Sequence, residues 1–118
     1  MLYSEAGRSN DKVVILLSQN RDIQQLTNVT SELPKKYHTI VMQLEDQNDP
    51  EKVQKEAAEV ERYLIETCEG SVYALCGTAS SWGCINRIVQ NNQVHVERLV
   101  YESDRKVHGD IILSALHQ

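Results

Sequence analysis

At 118 residues, with 41% hydrophobic and 25% charged side chains, the chain is sized for one globular domain. Its net charge is −5, and residues 45–69 hold nine acidic against three basic groups, which leaves the remainder almost neutral. The lack of a basic face argues against broad binding to duplex nucleic acid, and the longest aliphatic run, residues 13–17, is far too short to span a bilayer.

Phe is absent, so Leu, Ile, Val, Tyr and a single Trp must fill the interior. Cys68, Cys76 and Cys84 are an odd count, spaced by eight, with no Cys-x-x-Cys pair. That pattern predicts reduced thiols in a cytoplasmic protein, not a disulfide framework or a zinc site. Asn28-Val29-Thr30 fits a glycosylation acceptor but is read as a chance match.

Residues 1–11 show no hydrophobic period and read as a flexible leader to a single ligand-binding domain over residues 12–118. Residues 12–17 form a continuous aliphatic strand of the fully buried kind. A helix follows, with Ile23, Leu26, Val29 or Thr30, and Leu33 on one face, Asn20 or Ser18 as its cap, and Pro34 as its end. Residues 37–44 are a second strand. Asp49-Pro50 opens the next helix with a capping carboxylate and a proline in the first turn. Val53, Ala57, Val60, Leu64 and Cys68 give that helix its apolar stripe, and Gly70 ends it.

Residues 71–76 are a third strand, and a third helix runs from Ser80 or Ser81 to Gln90. Asn91-Asn92 marks a turn, and residues 93–101 are a fourth strand. Its alternation slips at Leu99 and Tyr101, which a bulge or an edge position would explain. Residues 110–116 fit a terminal helix capped by Asp110, with a fifth strand as the alternative. Strand–helix alternation predicts an α/β fold. It is a small Rossmann-like three-layer sandwich of about four mostly parallel strands with helices on both faces.

In such sheets ligands bind beyond the carboxyl ends of the strands, where the strand order reverses. For the order 2-1-3-4 that crevice lies between the first and third predicted strands. Its two loops are Ser18-Gln19-Asn20-Arg21 and Gly77-Thr78-Ala79-Ser80-Ser81-Trp82. Small residues admit a ligand to the backbone, hydroxyls add donors, and a helix N-terminus adds partial positive charge, so phosphate suits the second loop best. Plain helix capping accounts for the same residues. Trp82 either stacks on a base or fills the core, and Arg21 and Arg87 are within plausible reach of a phosphate or are ordinary surface arginines.

The loop is not a P-loop, because no Gly-Lys-Ser/Thr follows Gly77, and it lacks the glycine spacing of the dinucleotide fingerprint. Cys76 is followed six places on by Trp82, not by the Arg of a cysteine phosphatase loop. Cys84 near a helix start is either a thiolate of lowered pKa or buried and inert. A His108–Asp110 acid/base pair competes with turn chemistry. Glu45 and Asp46 serve a ribose or a metal, or simply begin an acidic loop. No cofactor is expected.

The polar loops Ser18-Gln19-Asn20 and Gly77-Thr78-Ala79-Ser80-Ser81, each after a strand, give the chain a pattern that resembles the CRISPR-associated Rossmann-fold sensors. The resemblance implies binding of a cyclic oligonucleotide at a homo-oligomer interface, in antiviral defence, with an effector or membrane segment outside this chain. The expected function is therefore nucleotide sensing. A phosphodiesterase or nucleotide-processing enzyme is one alternative. The other is an interaction module presenting Glu56, Glu59 and Glu66 to a basic partner.

Overall fold

A computed structural model describes residues 2–45, 47–103 and 109–116. His108, Asp46 and His117 lie outside them, so neither the His108–Asp110 pair nor an Asp46 contact has a structural account. The described residues form a five-stranded sheet in the order β1-β3-β2-β4-β5, from β1 (Leu2–Ala6), β2 (Val13–Gln19), β3 (His38–Leu44), β4 (Ser71–Thr78) and β5 (His95–Glu102). The last four strands run parallel, and β1 pairs antiparallel with β3. The parallel strands take the predicted order, with its reversal between β2 and β4.

The sequence of β2 explains its central place. Val14, Ile15, Leu16 and Leu17 are all fully buried, because successive side chains feed opposite layers. Ile15 and Leu17 join Met42, Leu44, Leu75 and the stripe of α3 (Pro50–Cys68), together with Ile85 and Ile88 of α4 (Trp82–Asn91). Val14 and Leu16 join Val41, Cys76 and Val100 under α1 (Asn20–Gln25), α2 (Thr27–Glu32) and α5 (Asp110–Leu116). Each large aliphatic group buried this way contributes roughly 1.5–3 kcal/mol. Among the described residues no helix is long and apolar enough to cross a membrane.

The α3 boundaries follow the sequence. Asp49 accepts a hydrogen bond from the Glu51 N–H at 3.0 Å, and Pro50 opens the first turn. The chain leaves through two left-handed residues, Glu69 (φ 57°) and Gly70 (φ 76°), and the Gly70 N–H donates to the Leu64 carbonyl at 3.1 Å.

Three expectations need correction. The predicted first helix divides at Leu26, whose N–H bonds three residues back to Ile23, so α1 and α2 are separate turns. Its stripe survives the break, since Ile23, Leu26, Val29 and Leu33 are all buried. Neither Ser18 nor Asn20 caps it. Gln19 holds the cap position without a side-chain bond. The phase slip in β5 is shared with β4: Val72 and Val96 face the α3 layer while Ala74 and Val100 face the other, at unbroken register. Of the two expected explanations, β5 does take the edge position, and its constant offset from β4 excludes a bulge between them.

The leader, expected to be flexible, includes β1. Its pairing with β3 is reinforced where the Glu5 carboxylate meets His38 Nε2 at 2.5 Å and Arg8 at 2.9 Å. The His38 bond holds the Glu5 carboxyl below its ordinary value, with burial opposing and Arg8 adding to the shift. A carboxyl depressed on folding stabilises above its unfolded pKa and loses that contribution as pH falls through its folded one. Hydrogen exchange at residues 4–6, corrected for intrinsic rates, is therefore expected to speed up relative to β2 below the ordinary glutamate range. His38→Ala should remove most of that pH dependence, and an unchanged dependence in the variant would refute the anchoring role.

Candidate functional site

The carboxyl ends of β2 and β4 lie side by side, as the strand order requires, and Ser18, Gln19, Gly77 and Thr78, expected in loops, are the last residues of those strands. Ser18 Oγ and Thr78 Oγ1 are 2.8 Å apart, sixty residues distant in sequence. Both side chains are fully buried. Asp22, on α1, joins this pair. Its Oδ2 accepts from Ser80 Oγ at 2.7 Å and from Thr78 Oγ1 at 3.1 Å, with Ser18 Oγ at 3.5 Å. Arg21 is exposed, with Nε 3.7 Å from Asp22 Oδ1.

This rearranges the expected chemistry. The hydroxyls read as phosphate donors are turned onto a carboxylate of the protein itself. A buried carboxylate needs such donors, and a phosphate placed here would compete with Asp22 for the same hydroxyls. Asp22 was missed because an acidic residue in a first helical turn is ordinary. Only its contact with the second loop distinguishes it.

The second loop is braced from within. Thr78 and Ser81 form a capping box. The Thr78 N–H donates to Ser81 Oγ at 2.9 Å, and the Ser81 N–H returns a bond to the Thr78 hydroxyl. Ser81 Oγ also donates to the Thr78 carbonyl at 3.1 Å. Gly77 is buried, and a Cβ there would lie 2.0 Å from Ile85 Cδ1 and 2.5 Å from Ser81 Oγ. Its missing side chain makes room for the core, not for a ligand. Ser18, Gly77, Thr78 and Ser81 are thus the frame of the crevice, closed to a guest.

What lines the open space is different. A cavity of about 390 Å³ is bounded by Gln19, Gln47, Asn48, Ala79, Ser80, Trp82 and Gly83. Of the predicted set, Gln19, Ser80 and Trp82 are therefore placed at the cavity. Asn20 and Arg21 are exposed at the start of α1, and Arg87 sits further along α4, outside the lining. Trp82 is 41% exposed, with its ring 4.7 Å from that of Tyr101 in a tilted pair, so it does not fill the core. Gln47 and Asn48 were not singled out because they sit in the acidic segment between β3 and α3. No periodicity marks a loop that folds back.

That loop is tied down through Glu45 and Glu56. The Glu45 N–H donates to Glu56 Oε2 at 2.8 Å, and the Glu45 carbonyl accepts from Gln19 Nε2 at 3.0 Å and Gln47 Nε2 at 3.1 Å. Glu56, expected on an exposed acidic face, is buried beneath these bonds, whereas Glu59 and Glu66 are exposed. Glu61, also buried, accepts from Asn91 Nδ2 at 2.8 Å.

A second hollow of about 330 Å³, lined by Gln43, Glu45, Lys52, Lys55, Glu56 and Glu59, mixes both charges and has no aromatic wall. Among the described residues no cluster of three or more His, Cys, Asp or Glu is placed to hold a metal ion. Burial pushes the Cys84 thiol up to about 12, with Glu56 and Glu61 adding to the shift, the opposite direction to a reactive thiolate. Burial likewise raises Cys76 to about 12.

No family model matches the chain, and no curated protein matches it. Among solved structures it is similar to an alpha/beta hydrolase family protein from Desulfitobacterium hafniense, with a TM-score of 0.68 at 16% identity. The match covers 86% of this chain and 43% of that one, so the chain spans less than half the length of its structural neighbour. At that identity the likeness shows the α/β fold alone.

Proposed function

We propose that the chain is a ligand-sensing domain whose crevice receives the base of a nucleoside or nucleotide. The observation that carries this reading is Trp82. A large exposed indole forms one wall of a cavity otherwise bounded by carboxamides, a hydroxyl and small residues, at the strand-order reversal of the sheet. A planar heterocycle stacks on the indole while the polar walls read its edge. The ligand's phosphates stay outside, towards Arg21, because Asp22 occupies the position first assigned to them.

Cyclic oligonucleotides belong to the candidate ligands because the loop pattern resembles the CRISPR-associated sensors. An open cavity on a small domain covers only part of such a ligand. A second copy closing over it would complete the site, and ligand-dependent association would pass the signal to an effector.

The structural neighbour's name raises hydrolysis as the competing reading. A serine hydrolase of that fold presents its nucleophile in Gly-x-Ser-x-Gly on a strained strand-to-helix turn. Here Gly77-Thr78-Ala79-Ser80-Ser81 has Ala79 at the central place. Ser81 has φ −108°, is buried, and spends its hydroxyl on the capping box. That geometry favours binding over bond cleavage.

A thermal-shift screen of nucleosides and of mono-, cyclic and oligonucleotides tests the reading. A ligand at about 100 times its dissociation constant stabilises by about 2.7 kcal/mol. Trp82→Ala is expected to weaken that ligand by about 1–3 kcal/mol, roughly five- to 150-fold. Arg87→Ala should leave it unchanged. No shift with any base-bearing compound, or equal shifts in the Trp82 variant, would overturn it.

A further inference from the structure

Gln47 has an unusual hydrogen-bond balance. Its Nε2 donates to the Glu45 carbonyl at 3.1 Å and to Glu56 Oε1 at 2.8 Å. Both partners are acceptors, which identifies the amide nitrogen in the free protein: a flip would set its oxygen against a carbonyl and a carboxylate. The amide oxygen, Oε1, is left buried with no hydrogen-bond partner, the one such side-chain atom among the described residues. Buried acceptors are almost always satisfied, and an orphan in a cavity-lining residue calls for a donor from elsewhere.

Two of the polar groups around the cavity have spent their donors elsewhere. Gln19 turns its amide nitrogen to the Glu45 carbonyl, and Ser80 gives its proton to Asp22. Through Gln19, Gln47 and Ser80 the cavity wall offers acceptors and not donors. Asp22 and Glu56 behind it add negative charge. Such a wall disfavours a guest edge made of carbonyl oxygens and suits one that carries N–H.

We propose that Gln47 Oε1 accepts an N–H from the bound heterocycle, so that the crevice selects amino-bearing bases over their deamino counterparts. This rests on the reading of the crevice as a base site. Oε1 is buried in the free protein, so this role requires the carboxamide to swing as the ligand enters, with Nε2 releasing the Glu45 carbonyl, which keeps its bond from Gln19. Gln47 is then a specificity-determining residue, separate from the stacking supplied by Trp82.

The test is a pair of calorimetric titrations on the full chain, adenosine against purine riboside and cytidine against the riboside of pyrimidin-2-one. Each pair differs only by the amino group. The amino compound of at least one pair is expected to bind at least tenfold more tightly. Gln47→Met, checked for an intact circular dichroism spectrum, should bring that pair to within threefold. Equal affinities within both pairs on the unaltered protein would overturn the role of Gln47 while leaving the base site standing. Selectivity that persists in a folded Gln47→Met protein would overturn it too. If no member of either pair binds, both this inference and the base site fall together.

Discussion

Asp22→Ala is expected to lower the unfolding free energy by about 2–3 kcal/mol, the cost of leaving buried hydroxyls short of an acceptor. Ser18 and Thr78 are fully buried, and Ser80 makes its shortest bond, 2.7 Å, to the lost carboxylate. The hydroxyls retain one another, at 2.8 Å between Ser18 and Thr78 and 3.1 Å between Thr78 and Ser80, which keeps the loss from being larger. Asp22→Asn keeps one acceptor oxygen in place and should cost about half as much. Urea unfolding at unchanged m measures both. A loss below about 0.5 kcal/mol in the alanine variant would mean that the cluster does not bind the two loops together.

Gly77→Val is expected to be the most damaging single change at the crevice, at about 3 kcal/mol, the upper part of the range for overpacking. Even a Cβ meets Ile85 at 2.0 Å and Ser81 at 2.5 Å, and the Leu17 carbonyl stands 3.4 Å away. Ile85 is fully buried in the layer under α3 and α4, so it yields only by disturbing that packing. Ser81 yields only by breaking the capping box. Gly77→Ala should show a smaller loss of about 1–2 kcal/mol. A valine variant as stable as the parent would show that the turn has room the geometry denies it.

Both changes also separate what the sequence carried from what it did not. The strands and their parallel order were legible because strand–helix alternation and right-handed crossovers leave few topologies. Once the order was fixed, so was the meeting of the strand ends at Ser18 and Thr78. The α3 ends were legible too, since Asp49-Pro50 and Gly70 act through local geometry alone.

The content of the site was less legible. A serine or threonine on a loop looks the same whether it faces a ligand or a buried carboxylate. The sequence of the second loop could not reveal that its acceptor, Asp22, lies fifty-six residues away from Thr78. Gln47 and Asn48 were hidden for a related reason. Their loop folds back through side chain–backbone bonds to Glu45 and Glu56, which leave no periodic mark. β1 was missed because an exposed edge strand has only one apolar neighbour layer to satisfy, and LYSEA carries little alternation.

Trp82 is the sole tryptophan, so its emission reports on the crevice alone. A fluorescence titration with nucleosides, using inorganic phosphate as the control, should give saturable quenching with a base-bearing compound and none with phosphate. Emission unchanged across the nucleosides, in protein shown to be folded, would contradict a base stacked on Trp82.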